Sequence, residues 1–362
     1  MDNKFVVSAA PHLHDRTSVS FVMWQVVIAL IPAMIAAVYF FGFHALLLTL
    51  YGGVAAMAVE ALIQKCRKKP ITIMDGSAFL TGMLVAFNLD AGVPWWLTVI
   101  GAVFAIAIGK HAFGGLGMNP MNPALLGRAF VLASWPTLVT SGWMHTLKGS
   151  INGIKVTDIP IDSLATISPK AYTLLTSATP LNVAKSMRDT TFVQSMTTNA
   201  SQNTQLHDLI HNALISSQNI QHLFWGNIGG CLGEVSAFAL LLGALWLIYN
   251  HIIEWRIPVS YILTVFVLGF LMDGMSVSSA MFQVLAGGVI LGAFYMATDP
   301  VTSPMTKTGR IIFGIGCGVV TIFIRYKGGY PEGVCYSILL MNLLVPLIDK
   351  YTIPRAFGEV KK

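Results

Sequence analysis

Thr176-Ser177-Ala178-Thr179, followed by Pro180-Leu181, is the stretch of this chain with the most direct chemical meaning. The pattern (Ser/Thr)-x-Ala-Thr is an acceptor at which a flavin transferase esterifies the threonine hydroxyl with the phosphate of FMN. Thr179 is therefore a candidate covalent cofactor site, with Thr176, Ser177 and Ala178 completing the motif. A phosphoester needs a hydroxyl on an accessible segment. Ala178 keeps the approach open, and Pro180 steers Thr179 away from helical geometry. The same residues would also serve as an ordinary Ser/Thr turn ahead of a short amphipathic helix, Leu181–Met187. The setting has to decide.

Two further constellations could hold a ligand. Gly114-Gly115-Leu116-Gly117 leads through Asn119-Pro120 and Asn122-Pro123 to Arg128. Glycines let a backbone approach a ligand closely, and asparagine offers both donor and acceptor, as the uracil-like edge of an isoalloxazine requires. A tight inter-helix turn, with Arg128 reaching for headgroups, would use the same residues. Asp299 stands in Thr298-Asp299-Pro300 at a helix break, where an intramembrane acid invites a partner, either Arg310 or a bound cation. A simple turn cap is the alternative. Glu60, Glu234 and Asp273 are other ionisable residues in apolar surroundings, suited to a cation path or to pairing with a Lys or hydroxyl of a neighbouring helix. Asp75-Gly76-Ser77 reads as a helix start. Cys66, Cys231, Cys317 and Cys335 form no CxxC pair, and His12 and His14 lack matching ligands, so no metal site is expected. No P-loop, nucleophile elbow or strand-borne GxGxxG is present, and no catalytic site complete on this chain is expected.

The elements that would position these residues are membrane-spanning. The chain has 362 residues, 55% hydrophobic and only 10% charged, with mean hydropathy +0.69. That charge deficit points to lipid as the main solvent. Ten spans are expected: Phe21–Phe41, Ala45–Ile63, Ser77–Leu89, Trp95–Phe113, Pro123–Val139, Asn227–Tyr249, Val259–Met272, Ala280–Ala297, Ile311–Ile324 and Val334–Ile348. The third, seventh and ninth are short, which suggests broken helices. No cleavable signal peptide is expected, since the run after Thr17 is of spanning length.

Lysines and arginines set the orientation. With the amino terminus in the cytoplasm, the inner side receives Lys4, Arg16, Lys65-Arg67-Lys68-Lys69, Lys110, Arg256, Lys307, Arg310, Lys350, Arg355, Lys361 and Lys362. The outer short loops receive only Arg325 and Lys327. The net charge of +6 thus reflects basic loops rather than a nucleic-acid face. Three units follow: a first membrane repeat over 1–140, an extracytoplasmic polar insert over 141–225 carrying Thr179, and a second, inverted repeat over 226–362. Leu84–Asp90 and Leu291–Asp299 echo one another at the closes of the third and eighth spans, as paired breaks do in inverted repeats. A solute or ion transporter with no covalent flavin would share that plan.

Several motifs recur in order along the chain. They are Pro11-His12 with Ser18-Val19, Asp75-Gly76-Ser77-Ala78 with Leu80-Thr81-Gly82, and Gly114-Gly115-Leu116-Gly117 with Asn122-Pro123-Ala124. Thr176-Ser177-Ala178-Thr179-Pro180-Leu181 follows, then Thr298-Asp299-Pro300-Val301, Gly309-Arg310, Gly328-Gly329-Tyr330-Pro331 and Val345-Pro346-Leu347-Ile348-Asp349. In these the chain resembles the NqrB/RnfD family of flavin-bearing membrane subunits, with termini closer to the Rnf branch than to the quinone-reductase branch. The resemblance implies a ten-helix, urea-transporter-like fold of two inverted five-helix repeats, and FMN joined to Thr179 on the outer side. It implies a role in relaying electrons between ferredoxin and NAD, coupled to Na⁺ or H⁺ translocation. Partners would be the other membrane and peripheral Rnf subunits, including a second covalent-flavin subunit, in a bacterial or archaeal cytoplasmic membrane. In the quinone-reductase relatives the two asparagines of an Asn-x-x-Asn-Pro turn help hold non-covalent riboflavin, and they match Asn119 and Asn122. One departure stands out: Thr173-Leu174 replaces the family's usual Asp-Gly, and Thr176 replaces the commoner Ser.

Overall fold

A computed structural model describes residues 18–140, 179–189, 193, 208 and 210–354. Among the described residues the chain is helical, and its one strand-like feature is an isolated bridge between Asp90 and Cys231. The first half builds α1 (Val19–Phe41), α2 (Phe43–Cys66), α3 (Ser77–Phe87), α4 (Trp95–Phe104, running on as a π-helix over Ala105–His111), α5 (Pro123–Ser134) and α6 (Pro136–Thr140). The described part of the insert includes α7 (Pro180–Arg188) and α8 (Ser217–Trp225). The second half builds α9 (Ala237–Tyr249), α10 (Arg256–Met272), α11 (Val277–Leu285), α12 (Val289–Leu291, continuing as a π-helix over Gly292–Met296), α13 (Lys307–Lys327) and α14 (Val334–Thr352).

Among the described residues four helices, α1, α2, α13 and α14, are long and apolar enough to cross a membrane, and a fifth crossing results if α11 and α12, bent by 64°, count as one. Five shorter apolar helices accompany them. The ten segments read from the sequence thus recur in order, but half fall short of a full crossing. Boundaries shift too. The expected fifth span stops at Ser134, because Pro136 cannot continue the ladder. The expected sixth begins ten residues late, at Ala237, and the ninth is a full-length helix rather than a short one.

Small residues face inward. On α1, Ala29, Ala33 and Ala37 are buried while Ile28, Ile31 and Ile35 are exposed, the reverse of a water-soluble helix. Apolar side chains lose nothing by facing lipid, so helices associate through close backbone approach. Gly82 of α3 shows this best. A Cβ there would stand 2.8 Å from Gly53 N, and nearer still to the Gly52 backbone on α2. Gly82→Val should therefore lower the thermal midpoint of the detergent-purified protein, with overpacking costing about 1–3 kcal/mol. An unchanged melting curve would refute this crossing.

The α11–α12 break is held open by a charge. Gly287 turns the chain with φ 73°. Arg325 of α13, 1% exposed, donates to the Gln283 and Ala286 carbonyls at the end of α11 and to Glu332 O at 3.0 Å. Orphan carbonyls at a helix end attract a cation. Arg325, assigned by sequence to an outer loop, is a buried clamp.

Candidate functional site

Thr179 occupies the position before α7, with extended backbone (φ −67°, ψ 158°) and Pro180 as the first helical residue. Its side chain makes no capping hydrogen bond, so the hydroxyl is not committed to the helix end. α7 is fixed by burial of Leu181, Val183 and Met187. Lys185 adds a hydrogen bond to Gly329 O, and Arg188 pairs with Asp273 at 3.2 Å and lies 3.8 Å over the Tyr326 ring. Thr176, Ser177 and Ala178 lie outside the described residues.

Thr179 opens onto a cleft enclosing about 900 Å³ of empty space, part of it continuous with solvent. Leu181, Leu223, Ile228 and Tyr336 give it apolar walls, and Arg128, Cys231, Glu234 and Glu332 line it too. Tyr330 and Tyr336 stack at 5.0 Å on one side. Arg128 is 6% exposed, so it does not reach for headgroups. It pairs with Glu332, donates to Asn88 Oδ1 at 3.1 Å, and lies 3.8 Å from Cys231 Sγ. Its Nε has no partner among the described residues. Glu332 sits in the loop between α13 and α14. Burial alone would push its carboxyl up, but Arg128, Glu234 and the Gly288 N–H outweigh that and hold it at about 2. Cys231, Glu234 and Glu332 bring ligand atoms within 4.8 Å of one another. The guanidinium on Glu332 already supplies the positive charge that a metal would bring.

The remaining candidates gather in a second cleft of about 790 Å³, lined by Asn119, Asn122, Lys110, Tyr295, Thr298 and Asp299. Asn122 and Arg128 are six residues apart on one helix, about 9 Å along its axis. The sequence candidates thus divide: Thr179 with Arg128, and Asn119 with Asn122 and Asp299. Asn122 is largely committed. Its Oδ1 accepts from Ala124 N and Leu125 N, capping α5, and its amide donates to Met296 O at 3.3 Å. Asn119 donates only to Met121 O, at 3.1 Å. Asp299 corrects an expectation. Its oxygens accept from Thr302 Oγ1 at 3.0 Å and Val301 N at 3.5 Å, whereas Arg310 pairs with Glu254 and donates to Pro304 O. Two nearby residues within one turn satisfy this carboxylate more closely than an arginine eleven positions on.

Asp273 and Glu60 both have protein partners, as the pairing alternative expects. Asp273 accepts from Gln283 at 3.1 Å and Arg188. Lys110, read as a loop charge, is 2% exposed and bonds both Glu60 oxygens at 2.8 Å and Ser77 Oγ at 2.7 Å. Lys110 and Glu332 are the residues that sequence reasoning missed. A lysine within a helical turn of an apolar run was the available signal for the first. For Glu332 no local signal exists.

Residues 6–358 match the model of the NQR2, RnfD, RnfE family. The D subunit of the Na(+)-translocating ferredoxin:NAD(+) oxidoreductase complex of Acetobacterium woodii is 43% identical over 357 residues, covering 98% of this chain and 96% of the relative. Its counterpart in the proton-translocating ferredoxin:NAD(+) oxidoreductase complex of Clostridium ljungdahlii is 41% identical, covering 98% and 97%. The counterpart in the ion-translocating oxidoreductase complex of Aliivibrio salmonicida is 35% identical, covering 99% of each chain.

Proposed function

The chain belongs to the NQR2, RnfD, RnfE family, and on that footing we propose that it carries FMN on Thr179 as the D subunit of an ion-translocating ferredoxin:NAD oxidoreductase complex. One observation carries the cofactor part of this reading: the Thr179 hydroxyl, uncommitted and in extended backbone, stands at the wall of a mostly apolar cleft open to solvent. Ligand pockets characteristically have mostly apolar walls and few polar groups. The residues fit. Leu181, Leu223 and Ile228 suit the flat face of an isoalloxazine, and Tyr330 and Tyr336 offer aromatic surface. Arg128 places a fixed positive charge at the cleft.

A bound flavin supplies one- and two-electron chemistry, while the protein contributes position and electrostatics. Thr179 tethers, α7 fixes the tether, and Arg128 with Glu332 sets the local charge. The second cleft suits a non-covalent riboflavin less well, because Asn122 is spent on capping α5; Asn119 and Asp299 would carry the recognition there. In this reading the insert faces outward and both termini lie in the cytoplasm of a bacterial or archaeal cell. Electrons pass to and from neighbouring membrane and peripheral subunits, a second covalent-flavin subunit among them, coupled to Na⁺ or H⁺ export. The loop after α2 packs on the end of α4, where Arg67 donates to His111 O at 2.8 Å and Lys69 to Gly114 O at 3.5 Å.

The test is a denaturing gel of the chain produced in its own host. A band fluorescent under ultraviolet light is expected from the unaltered protein and Thr179→Ser, and none from Thr179→Ala. Fluorescence surviving Thr179→Ala would place the link elsewhere. A colourless unaltered chain would favour the transporter alternative.

A further inference from the structure

Beside Arg128 lies a pair of carboxyl groups that tethering does not use. Glu234, three residues before α9, and Glu332, before α14, line the Thr179 cleft together. Gly288, at the α11–α12 break, makes room for both. A Cβ there would stand 2.6 Å from Glu332 Oε1 and 2.8 Å from Glu234 Oε1.

Charge decides their state. Arg128 is the guanidinium paired with this couple. Arg325 also faces it, but its N–H groups are spent on carbonyls and on the Gln283 side chain. The other titratable groups lining the cleft with the pair are Cys231, Cys335, Tyr330 and Tyr336, with ordinarily neutral thiols and phenols; the buried Asp90 carboxylate acts on Cys231 beside them. Two carboxylates against one paired guanidinium would leave a negative charge uncompensated in a desolvated site, and carboxyls this close retain a proton between them. Glu332 is the ionised member, since it accepts from Arg128 and from Gly288 N at 3.0 Å. The proton therefore resides on Glu234, which is hydrogen-bonded to Glu332. Glu234 Oε1 is buried, and no N–H or O–H of the described residues is directed at it.

We infer that Glu234 is the proton donor and acceptor for the flavin ring held on Thr179, with Glu332 and Arg128 fixing its charge state. This rests on the reading that Thr179 carries the flavin. Adding electrons to a ring between apolar walls without a proton would create buried charge. When two electrons arrive from reduced ferredoxin through the neighbouring subunits, the Glu234 O–H bond breaks and an N–H bond forms on the ring. The carboxylate left behind then takes up a proton from outer water, which restores the singly protonated pair. On reoxidation the electrons leave for the acceptor side, and the ring's proton returns to Glu234.

The purified intact complex provides the test, with the midpoint potential of the flavin on this chain followed against pH, alongside the gel fluorescence of the same sample. The unaltered protein should show a potential that falls as pH rises. Glu234→Gln should keep the fluorescent band and that slope, but slow reduction of the ring about 10²-fold or more. Glu234→Asp should restore most of the rate. A loaded Glu234→Gln with an unchanged rate overturns the inference, as does a potential in the unaltered protein that follows Na⁺ at fixed pH but not pH itself. Absence of the band from the unaltered chain sinks the Thr179 reading and this one with it, so the two failures are distinguishable. If Glu234→Gln does not assemble, Glu332→Gln is read instead. It should move the pH at which the rate of ring reduction changes, and an unmoved pH–rate profile overturns the inference.

Discussion

Arg128→Ala should lower the stability of the detergent-purified protein by about 3–5 kcal/mol, because it leaves the Glu332 carboxylate buried without its cation. Glu332 would keep the Gly288 N–H and its hydrogen bond with Glu234 but no cation, and Asn88 Oδ1 would lose the donor now 3.1 Å away. Removing both charges tests the cause. In Arg128→Met/Glu332→Leu no unpaired charge remains, and most of the loss should be recovered. A double variant as unstable as the single one would show that packing, not charge, is at stake. The same substitutions act on the cleft beside Thr179, so Arg128→Ala should also reduce flavin loading, read as gel fluorescence per mole of chain.

Lys110→Met should be comparably damaging, at about 3–5 kcal/mol, for the same reason at the other cleft. Glu60 and Lys110 each have side chains 2% exposed, and the ammonium is shared with Ser77 Oγ. In the variant, the Glu60 carboxylate would retain Gln64 Nε2 at 3.1 Å, with His111 Nε2 at 3.7 Å. One amide and a distant imidazole do not replace an ammonium that contacts both oxygens. Glu60→Leu/Lys110→Met should again recover most of the loss in a thermal melt. A Lys110→Met protein that melts with the unaltered one would mean this pair contributes nothing net.

These pairs mark how far the sequence could be read. The apolar runs, their order and the polar breaks between them were legible because lipid demands a continuous apolar stretch, which leaves a one-dimensional record. Lengths were less so. α3, α5 and α9 are cut by Asn88, Trp135-Pro136 and Ser236, and whether a short helix reaches across depends on what covers its ends. Local motifs pointed to candidate residues, but not to how they group. Asn122, named as a ligand candidate, also caps the helix that bears Arg128.

What the residues determined unaided is local. Pro180 fixes Thr179 in extended geometry, Asn122 starts α5, and Asp75 accepts from Ser77 N at 2.9 Å at the start of α3. Each such effect acts across a few bonds, so neighbours in sequence suffice. Only the tertiary structure decided which charges meet, since the partners of Lys110 and Arg128 lie 50 and 204 positions away. A buried charge is stable only against a counter-charge in space, and the fold alone brings those positions within reach.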